Sequence, residues 1–134
     1  MDSECTGEAP SAPEAIANAL ATDLTVDITT IGRVSGKPRR IEIWYLRVDG
    51  QYYITGTPRP RDWLANLIAN PRLTFHLKES TLADLDAEAT VVTDPDERRR
   101  VLSSTAAKWY RGQVDLDRLL AEAPMVRITF PSLL

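Results

Sequence analysis

The feature that most limits the possible folds is a series of short segments in which apolar and polar residues alternate between turn-forming residues. Alternation with a period of two is typical of strands that bury one face. Asp49-Gly50 is a strong signal for a two-residue hairpin turn between two of these segments. Six segments have the pattern: residues 24–32, 40–48, 51–56, 72–78, 86–93 and 125–130. This order predicts a mainly β fold of about six antiparallel strands, the first three forming a meander.

Helices are predicted before and between these strands. Asp62 is placed to cap one of them, and Asp94 is placed to cap another that has Pro95 in its first turn. The apolar residues of the helix after Asp62 share one face: Trp63, Leu64, Leu67 and Ile68. The four predicted helices are residues 14–21, 63–69, 95–109 and 115–123. Short strands with inserted helices indicate a small barrel rather than a parallel sheet of βαβ units.

Length and composition allow one globular domain. The chain has 134 residues, of which 43% are hydrophobic and 26% are charged. Residues 1–13 are polar, acidic and contain proline, which is typical of a disordered tail, and we expect residues 14–134 to form the single domain. No segment approaches the roughly 18 to 20 consecutive apolar residues that cross a bilayer, and no signal-peptide pattern is present. We therefore expect a cytoplasmic protein with no membrane partner.

The chain contains one cysteine and one histidine, which limits the chemistry of its own side chains. Cys5 lies in the predicted tail and is interpreted as an inert thiol. His76 lies in an alternating segment, where a solvent-facing or hydrogen-bonded strand position is favoured over a catalytic role. A zinc site of Cys and His ligands cannot be assembled from these two residues. If the protein is an enzyme, a bound organic cofactor is expected to supply the chemistry.

A basic band between residues 33 and 61 stands out in a chain whose net charge is −3. Seven lysine and arginine residues lie in it against two carboxylates. Its first part is the turn at residues 32–39, where glycines permit positive φ angles and where backbone amides and Ser35 are available as donors. The turn is interpreted either as a site for phosphate or carboxylate groups or as a solvated basic loop. Arg98 and Arg99, outside the band, are interpreted as surface residues of the third helix.

The order of these features resembles one known family. Residues 29–40 read TTIGRVSGKPRR, residues 62–67 read DWLANL and residues 69–71 read ANP. Together they resemble the deazaflavin-dependent nitroreductase family, over residues 24–130. The resemblance implies a split β-barrel that binds the 8-hydroxy-5-deazaflavin coenzyme F420, which carries a phosphate and a polyglutamate tail. It also implies hydride transfer from the reduced coenzyme to a quinone, a nitro compound or another conjugated small molecule.

The resemblance further implies a cofactor site. Four residues match the basic turn that meets the anionic tail of the coenzyme: Arg33, Lys37, Arg39 and Arg40. Trp63 and Asn66 match the Trp-x-x-Asn helix beside the pocket, and Ser35 is a candidate donor in the turn. The alternative interpretations are that Trp63 only anchors its helix in the core and that Asn66 bonds the neighbouring loop. Trp44 and Tyr45 are interpreted as packing residues of the barrel.

The loop after the third strand departs from the family pattern. Where relatives have a Lys-Gly-Gly phosphate loop, this chain has Thr57, Arg59 and Arg61 interleaved with two prolines, which lack amide donors. The arginines are expected to supply compensating charge, and flavin mononucleotide is an alternative cofactor for them. Trp109 and Tyr110 lie in the stretch from which the family places aromatic residues over the substrate side of the ring. Tyr110 is the candidate proton donor, and solvent is the alternative source of the proton.

Two other functions stay open from the sequence alone. A split barrel of this kind can bind a flavin or deazaflavin without turnover, and no compelling acid or base is evident in the sequence. Nucleic-acid binding through the basic band is disfavoured by the acidic net charge. The expected partners are therefore a small-molecule substrate and, by analogy with the family, a second copy of the chain in a homodimer.

Overall fold

The computed structural model describes residues 12–131, and its body is a seven-stranded antiparallel sheet. The strands are β1 (Thr25–Ile31), β2 (Pro38–Trp44), β3 (Leu46–Val48), β4 (Gln51–Thr55), β5 (Arg72–Leu77), β6 (Ala83–Val91) and β7 (Met125–Thr129). The helices are α1 (Ala12–Thr22), α2 (Asp62–Ala69), α3 (Pro95–Leu102), α4 (Lys108–Gln113) and α5 (Leu116–Glu122), with a short 3-10 turn at Thr105–Ala107.

The predicted tail falls almost entirely outside the described residues, as does Cys5. Its last two residues, Ala12 and Pro13, are the first two residues of α1. The helix predicted at residues 14–21 is therefore confirmed and is slightly longer than expected. No helix between residues 12 and 131 is long and apolar enough to span a membrane.

The two edges of the sheet are joined by a single residue. The strand order is β2-β1-β5-β6-β7-β4-β3, so the outermost strands, β2 and β3, are consecutive in the chain and only Tyr45 separates them. The sheet therefore curls until its edges meet, which gives the predicted split barrel. Tyr45 is buried; its amide donates to the carbonyl of Leu24 (3.2 Å), and its hydroxyl lies 3.1 Å from the carbonyls of both Ala19 and Leu20. These bonds attach the junction of the two edges to α1.

The strand predicted at residues 40–48 is two strands, which raises the count from about six to seven. Tyr45 and Leu46 are both buried, so the alternation of inward and outward side chains breaks between them. The predicted meander of the first three strands is wrong for the same reason. After the break the chain has crossed to the other edge of the sheet, where β4 pairs with β3 and β7 and not with β2. The mainly β architecture with inserted helices is confirmed.

Two apolar clusters lie on opposite faces of the sheet. Ile54 belongs to one and its neighbour Tyr53 to the other, as alternation along β4 requires. The first cluster fills the barrel, where Phe75 makes edge-on contacts with Tyr45 (5.2 Å between ring centroids) and with Phe130 (5.1 Å). The second cluster packs the late helices against β3, β4 and β7. The helical segments contribute Val101, Leu102, Ala107, Tyr110 and Leu119 to it.

Arginine side chains bond the carbonyl groups at three helix ends. Arg98 makes the most of these hydrogen bonds. It donates to four carbonyl oxygens, those of Val92, Leu119, Leu120 and Ala123, at 2.7–3.2 Å. Arg47 bonds the end of α1 and Arg111 the end of α3 in the same way, at 2.6–3.1 Å. A cation at the carboxyl end of a helix satisfies its unpaired carbonyls and opposes its dipole. The interpretation of Arg98 as a surface residue is therefore wrong, whereas Arg99 is exposed.

The third predicted helix ends early. Its start is confirmed, because Asp94 accepts a hydrogen bond from the amide of Glu97 (3.0 Å) and Pro95 is the first helical residue. It stops at Leu102 instead of residue 109, because the chain bends at Ser103 and Ser104 before the 3-10 turn and α4. The break gives α4, which carries Tyr110, an orientation of its own.

The second predicted helix differs at its cap. Arg61 occupies the N-cap position of α2, its side chain makes no capping hydrogen bond, and Asp62, predicted as the cap, is the first helical residue. Asp62 pairs instead with an arginine of the β1–β2 turn. Trp63 and Leu67 are buried as predicted, but Ile68 is 64% exposed and does not share their face. The third buried residue of α2 is Asn66.

Candidate functional site

A cleft of about 780 Å³ opens between the β1–β2 turn, one face of β2, the loop after β4 and the first turn of α2. Seven of the residues predicted for the site line it: Arg33, Ser35, Arg39, Arg59, Arg61, Trp63 and Asn66. The fold thus brings together two sequence segments, the basic turn and the loop after β4. Lys37, Arg40, Thr57 and Tyr110 do not line the cleft. Ile41 and Ile43 of β2 also line it, and the sequence did not single them out because alternation indicates a strand face and not a ligand.

Asn66 joins the basic turn to α2. Its side chain is 4% exposed; Oδ1 accepts hydrogen bonds from the amide of Arg33 (3.1 Å) and from Arg33 Nη1 (3.0 Å), and Nδ2 donates to Thr30 Oγ1 (3.2 Å). Arg33 Nη2 also pairs with Asp62 at 3.3 Å. The interpretation of Asn66 as a residue that bonds the neighbouring loop is confirmed. Arg33 is consequently held in the wall of the cleft by its bonds to Asn66 and Asp62.

The amides of the turn are largely used within it. Gly32 donates to the carbonyl of Lys37 (2.8 Å), Gly36 donates to the carbonyl of Gly32 (2.9 Å), and the Lys37 amide donates to Ser35 Oγ (3.2 Å). Gly36 has φ +69°, which favours glycine, and a Cβ on Gly32 would lie 2.5 Å from Ser35 Oγ. Most backbone amides of this turn are therefore already hydrogen-bonded and are not available to an anion, contrary to the expectation from the sequence. Anion binding at the cleft has to rest mainly on guanidinium groups.

Three guanidinium groups of the cleft lack a carboxylate partner among the described residues: those of Arg39, Arg59 and Arg61. The two carboxylates that line the cleft are already paired, Glu42 with Lys78 and Asp62 with Arg33. The pKa of Arg61 is lowered by burial and by the nearby positive charge of Arg59. A guanidinium group whose pKa is lowered by burial and by a neighbouring cation, with no carboxylate partner among the described residues, is typical of a site that receives an anion.

Arg40 and Lys37 lie away from the cleft. Side chains alternate along β2, so Arg40 projects from the face opposite Arg39, where its Nε pairs with Asp27 at 2.9 Å. Lys37 is exposed at the end of the turn. His76 is buried, with Nε2 2.7 Å from the hydroxyl of Thr29 and Nδ1 2.7 Å from a carboxylate oxygen of Asp84. The interpretation of His76 as a hydrogen-bonded strand residue is confirmed. Among residues 12–131 no three His, Cys, Asp or Glu side chains form a metal-binding group.

Residues 12–121 match the sequence model of a family described as F420H(2)-dependent quinone reductase. The chain belongs to this family. No curated protein matches the sequence significantly. The family match confirms the deazaflavin-dependent reductase predicted from the motifs, with F420 as its cofactor and a quinone as the substrate that the family reduces.

Solved structures share the fold of this reductase. A conserved hypothetical protein from Mycobacterium tuberculosis is 22% identical, with a TM-score of 0.66 over 96% of this chain and 86% of the other. An F420-H2 dependent reductase, FDR-A, is 18% identical, with a TM-score of 0.55 over 80% of this chain and 95% of the other. A putative pyridoxamine 5'-phosphate oxidase from Listeria innocua is 11% identical, with a TM-score of 0.67 over 90% and 94%. At these identities the likeness establishes the split barrel.

The residues of the reductase's cleft fit an anionic deazaflavin. Its volume lies within the range of about 300–1,000 Å³ that holds small ligands. Its wall offers apolar surface from Ile41, Ile43 and Trp63, and the unpaired guanidinium groups suit phosphate and carboxylate oxygens. Arg61 Nε is buried and has no hydrogen-bond partner among the described residues. An unpaired buried donor in a cationic cleft is what a missing anionic ligand would satisfy.

The aromatic residues of the reductase form a separate group near Arg61. Tyr110 is 6% exposed, its pKa is raised by burial, and the positive charge of Arg61 partly opposes that shift. Its ring contacts Trp109 edge-on (5.2 Å), and Trp109 contacts Trp44 edge-on (5.4 Å). Trp44 and Trp109 are 48% and 51% exposed. Tyr45 packs in the barrel as predicted, but the same interpretation of Trp44 is wrong.

Proposed function

We propose that the cleft is where this quinone reductase holds reduced F420, with the anionic groups of the coenzyme at Arg39, Arg59 and Arg61. The coenzyme supplies the hydride, and the protein contributes binding, orientation and exclusion of water. The observation that carries the assignment is the set of three guanidinium groups without carboxylate partners in one cavity. Ile41 and Ile43 are proposed to contact the ring. Arg33 and Asn66 are proposed to hold the shape of the wall through their mutual bonds.

Lys37, Arg40 and Thr57 receive weaker roles in this proposal than the sequence suggested. Arg40 is paired with Asp27 on the other face of β2, and Lys37 is exposed at the end of the turn. Both cations can attract a polyanionic tail at long range without touching the ring-binding part of the cleft. Ser35 lines the cleft, and its hydroxyl hydrogen is available to an anion because its oxygen accepts from the Lys37 amide.

Tyr110 is proposed as the proton donor to the reduced substrate. Burial raises its pKa, so the phenol carries its proton throughout the neutral range. Its hydroxyl has no hydrogen-bond partner between residues 12 and 131, and it lies within electrostatic reach of Arg61. A substrate oxygen that gains negative charge would find a proton there. Replacing Tyr110 with Phe is expected to lower kcat while leaving the F420 dissociation constant unchanged.

Fluorescence titration with F420 tests the assignment of the cleft. We expect the wild-type protein to bind in the low-micromolar range and Arg39→Ala to bind about tenfold to a hundredfold more weakly, the equivalent of one charge-assisted contact. The loss should shrink at high salt, because salt screens exposed charges. Arg99→Ala, an exposed arginine outside the cleft, is the control and should bind like wild type. A flat titration up to about millimolar F420 would refute the proposal.

A parallel titration with flavin mononucleotide distinguishes the alternative cofactor. Flavin mononucleotide carries one phosphate, so it can occupy one of the guanidinium groups but cannot use a second anionic binding point. We expect it to bind more weakly than F420. Equal or tighter binding would assign the cleft to a flavin. Turnover of a quinone with reduced F420 separates a reductase from a protein that only binds the coenzyme.

Assembly and location are the remaining parts of the proposal. One solved structure with this fold, 20% identical with a TM-score of 0.59 over 80% of this chain and 81% of the other, is described as a domain-swapped dimer. That likeness supports a homodimer for this chain, which light scattering of the purified protein would test. We also propose that the protein acts on a small molecule, not a nucleic acid, in the cytoplasm. Cell fractionation and a DNA-binding assay are the checks.

A further inference from the structure

The loop after β4 folds the side chain of Arg61 back over its own backbone. Arg61 Nη2 donates to the carbonyl of Thr57 (2.9 Å) and also to Thr57 Oγ1 (3.1 Å). Both acceptors lie four residues earlier in the chain, so the guanidinium closes a ring with the loop. One end of the guanidinium is therefore fixed, while the side chain still lines the cleft.

Gly56 provides the space that this arrangement needs. A Cβ at position 56 would lie 2.8 Å from Arg61 Nη2, 3.0 Å from Cζ and 3.4 Å from Nε, and these are the three nearest atoms. The backbone of Gly56 does not have a positive φ, so conformation does not require glycine here. A side chain at position 56 would therefore first meet the Arg61 guanidinium.

The Arg61 guanidinium still has a hydrogen-bond donor that no other described group uses. Nη2 is used by the loop, whereas Nε is buried without a partner among the described residues. A buried donor without an acceptor is unfavourable, and an oxygen bound at the guanidinium would remove that cost. The prolines at positions 58 and 60 leave the loop short of amide donors, so the guanidinium groups of Arg59 and Arg61 are its main source of hydrogen bonds for an anion.

We propose that Gly56 and Thr57 are positioning residues that preset the Arg61 guanidinium to bind the anionic part of the coenzyme. Thr57 fixes one nitrogen through two bonds, and Gly56 keeps the surrounding space clear. The inference rests on the proposed function, because it takes the cleft as the F420 site. It replaces direct binding by Thr57 with an indirect role through Arg61.

The test compares F420 with the same deazaflavin ring carrying only its uncharged ribityl chain. Four proteins are titrated with both compounds: wild type, Gly56→Ala, Arg61→Ala and the double variant. We expect Arg61→Ala and Gly56→Ala each to weaken F420 binding at least about tenfold, since each removes or displaces a charge-assisted contact. The uncharged compound should bind all four alike. In the double variant the methyl group added at position 56 has no guanidinium to displace, so the affinity for F420 should equal that of Arg61→Ala.

Several results would overturn the inference. Unchanged F420 affinity in Gly56→Ala, full additivity of the two substitutions, or equal weakening of the uncharged compound would each show that Gly56 does not act through Arg61. If Gly56→Ala does not fold, Thr57→Val, which removes the side-chain acceptor and keeps the shape, is expected to weaken F420 binding severalfold and to spare the uncharged compound. Failure of wild type to bind F420 refutes the proposed function instead, and wild-type binding with an inert Gly56→Ala refutes only this inference.

Discussion

Replacing Arg98 with Met tests whether arginine caps hold the late helices on the sheet. The side chain extends from α3 and donates to the carbonyls of Leu119, Leu120 and Ala123 around the end of α5, and to that of Val92. Met keeps much of the length and removes every donor. Hydrogen bonds from charged groups contribute about 1.5–3 kcal/mol each, but carbonyls at a helix end can partly turn to water.

We therefore expect Arg98→Met to lower the free energy of unfolding by about 2–4 kcal/mol, not by the sum of four bonds. For a chain of this size about 1 kcal/mol corresponds to about 4 °C in Tm, so the loss should be about 8–16 °C. Urea unfolding followed by circular dichroism measures the change in the free energy of unfolding, and thermal unfolding measures the change in Tm. Arg99→Met, on the next residue of the same helix and exposed, should change stability by less than about 0.5 kcal/mol. Equal effects of the two substitutions would refute the capping role.

Three further predictions concern the cleft and the barrel. Arg39→Ala should weaken F420 binding about tenfold or more while Lys37→Ala changes it less than about threefold, because only Arg39 lines the cleft; equal losses in fluorescence titration would contradict this. Burial raises the pKa of Tyr45 from 10.0 to about 12, so the Tyr45 hydroxyl keeps its proton to a higher pH in the folded state than in the unfolded chain. Stability should fall as pH rises from about 10 to about 12, and urea unfolding of Tyr45→Phe should show a shallower fall. Asn66→Ala removes three bonds from a buried amide and should lower the free energy of unfolding by about 2–3 kcal/mol in the same assay.

Local signals in the sequence were enough for most strands and for one helix start. Asp94, Pro95 and Glu97 follow one another as a capped helix requires, and the structure has that cap. The glycine-containing basic turn was also recognisable, because its charges are contiguous in the chain. What could not be predicted depends on distant partners. The break at Tyr45 is one case: both it and the following residue are buried, and its amide bonds a carbonyl of residue 24.

The roles of individual arginines show the same limit. Arg39 and Arg40 are neighbours of the same type, yet one lines the cleft and the other pairs with Asp27, thirteen residues away. Arg98 differs from Arg99 only because its side chain reaches the end of a helix more than twenty residues later. Charge counting identifies the basic band correctly. It does not distinguish a guanidinium that binds a ligand from one that bonds the protein's own carbonyls.

The position of β7 has a consequence for how the chain folds. It is the last strand in chain order among the described residues, yet it lies in the interior of the sheet, between β6 and β4. Without β7, no strand pairs the β3–β4 hairpin with the four-stranded sheet β2-β1-β5-β6. Strands β4 and β6 then each have an unpaired edge. Exposed edges recruit strands from other molecules. A chain cut short before residue 125 would lack the strand that joins the two groups, and its open edges would favour aggregation, so closure of the barrel requires β7.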